Sequence, residues 1–288
     1  MKNNPVIGCM RWGVWGASFN TKQYETIIKQ CVEIGLNTFD HADIYGNYTT
    51  EAEFGKVLNN NNSLRSQINI ITKCGIQMVH PNRPNHKIKS YNTSATHITQ
   101  SVEQSLSNFN TDYIDTLLIH RPDILMDSEE INEVISKLKS EGKIKKFGVS
   151  NFNCSQVELL STKLKIECHQ VEISLTNLAA FNSGILEQSQ LKNIEIQAWS
   201  PLGANLFIAQ NDRNVRIIKK ATALAGAYNT GITQILLAFL YSHPTGITPV
   251  IGSTKFERIL EAKEAMEIML TRESFYELWT ASVGEEVA

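Results

Sequence analysis

The chain has no surplus of either charge. Its 27 Lys and Arg stand against 29 Asp and Glu in 288 residues, a formal net charge of -2. Nothing in that balance draws in nucleic acid, and there is no acidic tail. No C-x-x-C pair occurs. The five cysteines (Cys9, Cys31, Cys74, Cys154 and Cys168) are scattered and odd in number, which argues against a disulfide frame or a zinc site. They read as reduced thiols. The longest apolar run, Ile235 to Tyr241, is too short to span a bilayer. The opening MKNNPVIGCM carries one lysine and no apolar stretch fit for a signal peptide. A cytoplasmic protein without a membrane partner is expected. No G-x-G-x-x-G is present, so a Rossmann dinucleotide site has no support. No composition break or repeat marks a boundary, and a single domain over residues 1–288 is expected.

What is present is alternation. Short apolar runs at Val6–Met10, Asn37–His41, Ile68–Lys73, Tyr113–Ile119, Lys145–Val149, His169–Ile173, Ile194–Trp199 and Thr248–Ile251 read as strands. Between them lie residues at helical spacing. Tyr24, Ile27, Ile28, Cys31 and Ile34 form one such face, with Gly35 placed to end it. Ile98, Val102, Leu106 and Phe109 form another, and Ile131, Val134, Ile135 and Leu138 a third. Eight strands alternating with helices in a chain of this length predict an α/β fold, the (β/α)8 barrel. The segment from Gly75 to Asn92, with Pro81 and Pro84, reads as an ordered or semi-mobile loop.

In such a barrel the chemistry collects where strands end. Lys73 closes an apolar strand, so it is expected to point into the mouth, where a desolvated ammonium needs a carboxylate. Asp40, one strand over, supplies it. Tyr45 follows a few residues later. A free phenol titrates near about 10, high for a proton donor at neutrality, and a nearby ammonium lowers that value. His120, at the end of the fourth strand, is placed to orient a carbonyl oxygen. Singly, each has a bland reading: an ion pair, a packed tyrosine, a core histidine. Together, at the ends of three consecutive strands, they suit hydride addition to a carbonyl. Cys74, beside Lys73, reads as a small packing residue rather than a reactive thiol.

The turn Gly252-Ser253-Thr254-Lys255 opens a helix, and Arg258 follows within one turn. Helix N-termini favour anions. The cluster suits a 2′-phosphate, which favours NADPH over NADH; the bland alternative is a solvated basic helix start.

The run Gly35-Leu36-Asn37-Thr38-Phe39-Asp40-His41-Ala42-Asp43-Ile44-Tyr45-Gly46 resembles the first signature of the aldo-keto reductases. So do Leu117 to Pro122, Gly148 to Phe152, Gln170-Val171-Glu172 and Trp199 to Gly203, in order along the chain. The bacterial oxidoreductase branch with an Asp-His-Ala-Asp-Ile-Tyr-Gly motif is the most similar. The resemblance implies NADPH/NADP+ as cofactor and Asp40, Tyr45, Lys73 and His120 as a catalytic tetrad. It implies that Ser150, Asn151 and Gln170 hold the nicotinamide carboxamide and that Trp199 stacks on the ring. Met10 and Arg11 would border the cofactor. Ser200 and Pro201 belong to the same stretch as Leu202 and Gly203, which would run beside the pyrophosphate. Glu261 would approach the adenine, although Ala262 stands where the family often has Asn. His41, where many relatives have Thr, should point away from the mouth. Trp12 and Ile76 are expected to line the substrate pocket.

The expected activity is therefore reduction of aldehydes or ketones, with a small-molecule carbonyl substrate and no obligate protein partner. Two other classes compete. A cofactor-sensing binding protein can be built on the same barrel. A metal-dependent hydrolase would use His41, Asp43, His120 and His169, but there is no H-x-H pair and Lys73 has no obvious role in it.

Overall fold

The computed structural model describes residues 3–288. Its eight parallel strands are those of a (β/α)8 barrel, the architecture that the alternating pattern predicts. By internal contacts the chain falls into two compact units. One holds Val6–His169 with Gly252–Phe256, and the other Gln170–Ile251 with Glu257–Ala288.

The first unit begins with β1 (Val6–Gly8), α1 (Thr21–Glu33) and β2 (Thr38–Asp40). It continues through α2 (Tyr45–Tyr48), α3 (Thr50–Asn60), α4 (Asn62–Arg65) and β3 (Asn69–Cys74). A small antiparallel pair follows, β4 (Ile76–Gln77) with β5 (Ser90–Tyr91), inside the segment expected to be an ordered or semi-mobile loop. Then come α5 (Ala95–Phe109), β6 (Ile114–Ile119), α6 (Ser128–Ser140), β7 (Ile144–Ser150) and α7 (Cys154–Ser161). Within this unit β1, β2, β3, β6 and β7 pair in that order, all parallel. Register sets Asp40 opposite Ile71 and Lys73 opposite Leu118, so the strand ends carrying the candidate residues are neighbours.

Helix α1 is fixed locally as well as by packing. Asn20 accepts from the Gln23 amide while the Gln23 side chain accepts from the Asn20 amide, a reciprocal cap that opens α1. Its face of Tyr24, Ile27, Ile28 and Cys31 is buried, as the spacing predicts. Trp12, Tyr24, Phe39, Phe54 and Phe109 form an aromatic core beneath this wall. Glu51 is buried there too. It accepts from Thr72 (2.6 Å), Ser105 (2.9 Å) and Asn108 (3.0 Å), which ties α3 to β3 and α5.

The second unit contains β8 (Cys168–Glu172) from Gln170 on, α8 (Ala179–Asn182), α9 (Ile185–Lys192), β9 (Glu195–Trp199), α10 (Asp212–Ala227) and α11 (Ile232–Tyr241). It ends with β10 (Thr248–Ile251), α12 (Phe256–Glu264) from Glu257 on, and α13 (Arg272–Val283). Its core gathers Ile196, Ala198, Ile217, Leu236, Phe239 and Leu278. The apolar run Ile235–Tyr241 is the buried body of α11. Among the described residues no single helix is long and apolar enough to cross a membrane.

Candidate active site

The four residues expected to act together do come together. Lys73 is 1% exposed, and its ammonium lies 2.7 Å from both carboxylate oxygens of Asp40. The same Nζ donates to the His41 carbonyl at 2.8 Å and contacts the Tyr45 hydroxyl at 3.2 Å. His120 follows β6, its amide donating to the Cys74 carbonyl, and its ring meets that of Tyr45 edge-on at 6.0 Å. Its Nδ1 has no hydrogen-bond partner.

Tyr45 rides on a turn rather than on a strand. Gly46, Asn47 and Tyr48 all take positive φ, at 57°, 59° and 68°. A Cβ on Gly46 would stand 2.4 Å from Thr50 Oγ1, so glycine is required twice over at that position. The Thr49 hydroxyl donates to the Gly46 carbonyl at 2.6 Å and pins the turn.

The electrostatics correct one expectation. Burial raises the Tyr45 pKa, and the Lys73 charge pulls it back only in part; Asp40 pushes it up further. The phenol is therefore a held proton, not a spontaneously acidic one. For Lys73, burial works against the charge, but Asp40 and then Tyr45 more than restore it, and the ammonium is stabilised. Burial, then Lys73, then Arg121 push His120 well down, so its imidazole is neutral. It has an N–H to offer a carbonyl oxygen and no positive charge to compete with Lys73.

Trp12 is also a correction. It does not reach the mouth: its side chain is fully enclosed among Phe19, Tyr24 and Phe39. Its indole N–H instead donates to the Ser253 carbonyl at 3.1 Å, so it braces the Gly252–Lys255 turn. Ile76, by contrast, packs against Tyr45. The residue that faces Tyr45 from the loop after β1 is Trp15, with ring centroids 6.1 Å apart. Trp15, Tyr48 and Met78 complete this wall. Only their closeness in sequence to Trp12, Tyr45 and Ile76 offered a signal.

The candidate cofactor residues hold distinctive backbone. Ser150 ends β7, and Asn151 beyond it takes φ 61°. In the second unit Gln170 is buried on β8, donating to Gln197 at 3.1 Å. Trp199 ends β9, followed by Ser200 at φ 49°, Pro201, Leu202 and Gly203 at φ 80°. A Cβ on Gly203 would meet Thr176 Oγ1 at 2.3 Å, so that turn packs too tightly for any other residue. Met10 and Arg11 are exposed beyond β1. Lys255 and Arg258 are exposed cations in no ion pair among the described residues; Gly252, Thr254 and Glu261 are at least partly exposed, while Ala262 is buried in α12.

His41 faces the helices, its ring held between Phe54 of α3 (4.6 Å) and Phe109 of α5 (5.1 Å). His169 is also enclosed. Among the described residues no group of three or more His, Cys, Asp and Glu is placed to hold a metal, so the hydrolase constellation does not assemble. Burial, and the nearby Asp43 and Glu51, push the Cys74 thiol well up, which leaves it inert. A cavity of about 610 Å³ lies beside the site, lined by Asp43, Tyr48, Glu51, Arg83 and His97 but by none of the four clustered residues.

The aldo/keto reductase family model matches residues 6–282. The chain belongs to that family. It is 41% identical over 286 residues to the uncharacterized oxidoreductase YcsN of Bacillus subtilis, covering 98% of this chain and 95% of that one. It is 37% identical over 284 residues to a 6-dehydroglucose reductase of Agrobacterium fabrum, covering 96% and 95%. Among solved structures, an aldo/keto reductase from Klebsiella pneumoniae in complex with NADP and acetate superposes with a TM-score of 0.73 at 23% identity, covering 95% of this chain and 89% of that one.

Proposed function

We propose that this aldo/keto reductase is an NADPH-dependent enzyme that reduces aldehydes or ketones to alcohols. One observation carries the reading: Lys73 joins Asp40 and the Tyr45 hydroxyl in a single buried cluster, with a neutral His120 beside the phenol. The donor set fits a phosphorylated dinucleotide. Lys255 and Arg258 hold unspent positive charge for a 2′-phosphate. Ser150, Asn151 and Gln170 would hold the carboxamide, and Trp199 the ring. Ser200 to Gly203, with Met10 and Arg11, would follow the pyrophosphate. Gly252 to Thr254 would flank the phosphate, and Glu261 the adenine. The NADP in the Klebsiella pneumoniae structure supports this choice of cofactor.

Bound NADPH supplies the hydride. The protein supplies the rest. His120 donates to the carbonyl oxygen and sets its direction. Tyr45 gives its proton to the oxygen as negative charge grows there. Lys73 steadies the phenolate that remains, and Asp40 keeps Lys73 charged in a site where burial would neutralise it. The Agrobacterium fabrum relative makes sugar-derived aldehydes a class to assay alongside simple aromatic ones.

Replacing Tyr45 with Phe should lower kcat for 4-nitrobenzaldehyde by about 10²–10⁴ while NADPH still quenches tryptophan fluorescence. A Tyr45→Phe enzyme with full activity would sink the assignment. Chelator should leave the wild-type rate unchanged.

A further inference from the structure

The cavity of about 610 Å³ lies wholly within the first unit, between the β2 end, α3, α5 and the segment joining β4 to β5. Three carboxylates line it, and they differ in company. Glu103 is paired with Lys143 at 2.6 Å. Glu51 accepts from Thr72, Ser105 and Asn108. Asp43 is less well served: its Oδ1 is shut off from solvent and has no hydrogen-bond partner. Burial first, and the Glu51 charge second, push its carboxyl well above the usual carboxylate range. That is the mark of a buried carboxyl short of a counter-charge. Arg83 does not supply one. Its guanidinium stacks on the Tyr48 ring at 4.4 Å and makes no ion pair with Asp43.

A second polar atom on the same walls, His97 Nε2, is also enclosed and unpartnered. Burial, then His86 and Arg83, lower the His97 pKa, so the neutral ring can present a lone pair there. Buried polar atoms without partners are rare in a folded chain. Two of them on one cavity point to an occupant. A water takes up about 30 Å³, so the space suits a molecule rather than a single water or a bare ion. Among the described residues no three His, Cys, Asp or Glu are grouped to hold a metal, which favours an organic cation. Gln100, Gln104 and Ser107 of α5 add neutral amides and a hydroxyl to the lining.

We propose that this cavity binds a small hydroxylated amine, its ammonium paired with Asp43 and donating to His97, its hydroxyls meeting the amides of α5. The site is separate from the reaction site, since none of Asp40, Tyr45, Lys73 and His120 lines it. It goes beyond the reductase reading and does not depend on it.

The test is isothermal titration calorimetry on the full chain, without NADPH, in an amine-free buffer at pH 7.5. Three probes share one carbon skeleton and carry no aldehyde or ketone: 1-amino-1-deoxyglucitol, glucitol and gluconate. The amine should bind with Kd below about 1 mM, glucitol at least about tenfold more weakly, and gluconate should give no saturable heat. Asp43→Asn should weaken the amine at least about tenfold and leave glucitol within about twofold of the wild type. Arg83→Gln removes a like charge from the walls and should tighten the amine about threefold, a direction that damage to the fold would not give. Tyr45→Phe should leave the amine affinity unchanged. The inference is overturned if no probe binds, if amine and glucitol bind equally, or if Asp43→Asn binds the amine as the wild type does. It is overturned too by an Arg83→Gln protein that binds the amine more weakly, or by loss of binding in Tyr45→Phe. None of these outcomes bears on the reductase reading, which the aldehyde assay tests separately.

Discussion

His41 lies at the end of β2, enclosed on both sides by phenylalanine rings, with no hydrogen-bond partner on either ring nitrogen. Burial first, and the Lys73 charge second, hold its pKa down from 6.5 to about 3. Below pH 6.5 the unfolded chain therefore takes up a proton that the folded chain refuses. Stability falls as pH drops from 6.5 towards the folded value, and is flat above 6.5 for this group. Each pKa unit is worth about 1.36 kcal/mol, so at pH 4.5 His41 alone should remove about 2.7 kcal/mol. His169, held at about 4 by burial, acts in the same sense, and so does His120. Asp43 and Glu51 act in the opposite sense. Burial raises both, so the folded state takes up their protons first and gains stability as pH falls through their folded values. The overall acid profile mixes these contributions, and a substitution isolates one of them. Urea unfolding of wild type and His41→Leu at pH 7.5 and pH 4.5 gives four stabilities. The variant should lose about 2.7 kcal/mol less than the wild type on acidification, whatever the substitution does to stability at neutral pH. Equal acid losses in the two proteins, within about 1 kcal/mol, would refute the reasoning.

Two further substitutions test the site and its scaffold. Lys73→Met leaves the buried Asp40 carboxylate unpaired, so chemical unfolding should show a loss of about 3–5 kcal/mol, and aldehyde reduction should vanish with the phenolate's counter-charge. Gly46→Ala places a methyl against Thr50 Oγ1 in a left-handed turn, and calorimetry should show at least about 1–2 kcal/mol of destabilisation together with a lower kcat, because Tyr45 moves with the turn.

The barrel was legible because its signal is periodic. The run Thr248–Ile251 coincides with β10, and the helical faces of α1, α5 and α6 are buried where the spacing puts them. Strand ends shift by a residue or two where pairing stops before the apolar run does, as at Val6–Met10, which pairs only to Gly8. The four clustered residues were legible because each lies at or just beyond a strand end, and parallel register brings strand ends together. Loop geometry was not legible. Nothing in Arg11-Trp12-Gly13-Val14-Trp15 says which indole turns inward. That depends on the Ser253 carbonyl and the Asn47 side chain, both distant in sequence. The direction of the Tyr45 shift was missed for a related reason. A sequence shows the neighbouring charge, but the desolvation that outweighs it appears only when the walls are in place.

Lys73 offers three protons to four oxygens, and all of those oxygens are fixed by the fold. The ammonium cannot swing. On the proposed mechanism negative charge gathers on the Tyr45 oxygen, and then no dipole has to turn towards it and no water has to be recruited. In solution that rearrangement would accompany every reactive event; here it is completed once, when the chain folds. The sheet thus serves as a solvent whose polarisation is set before the substrate arrives.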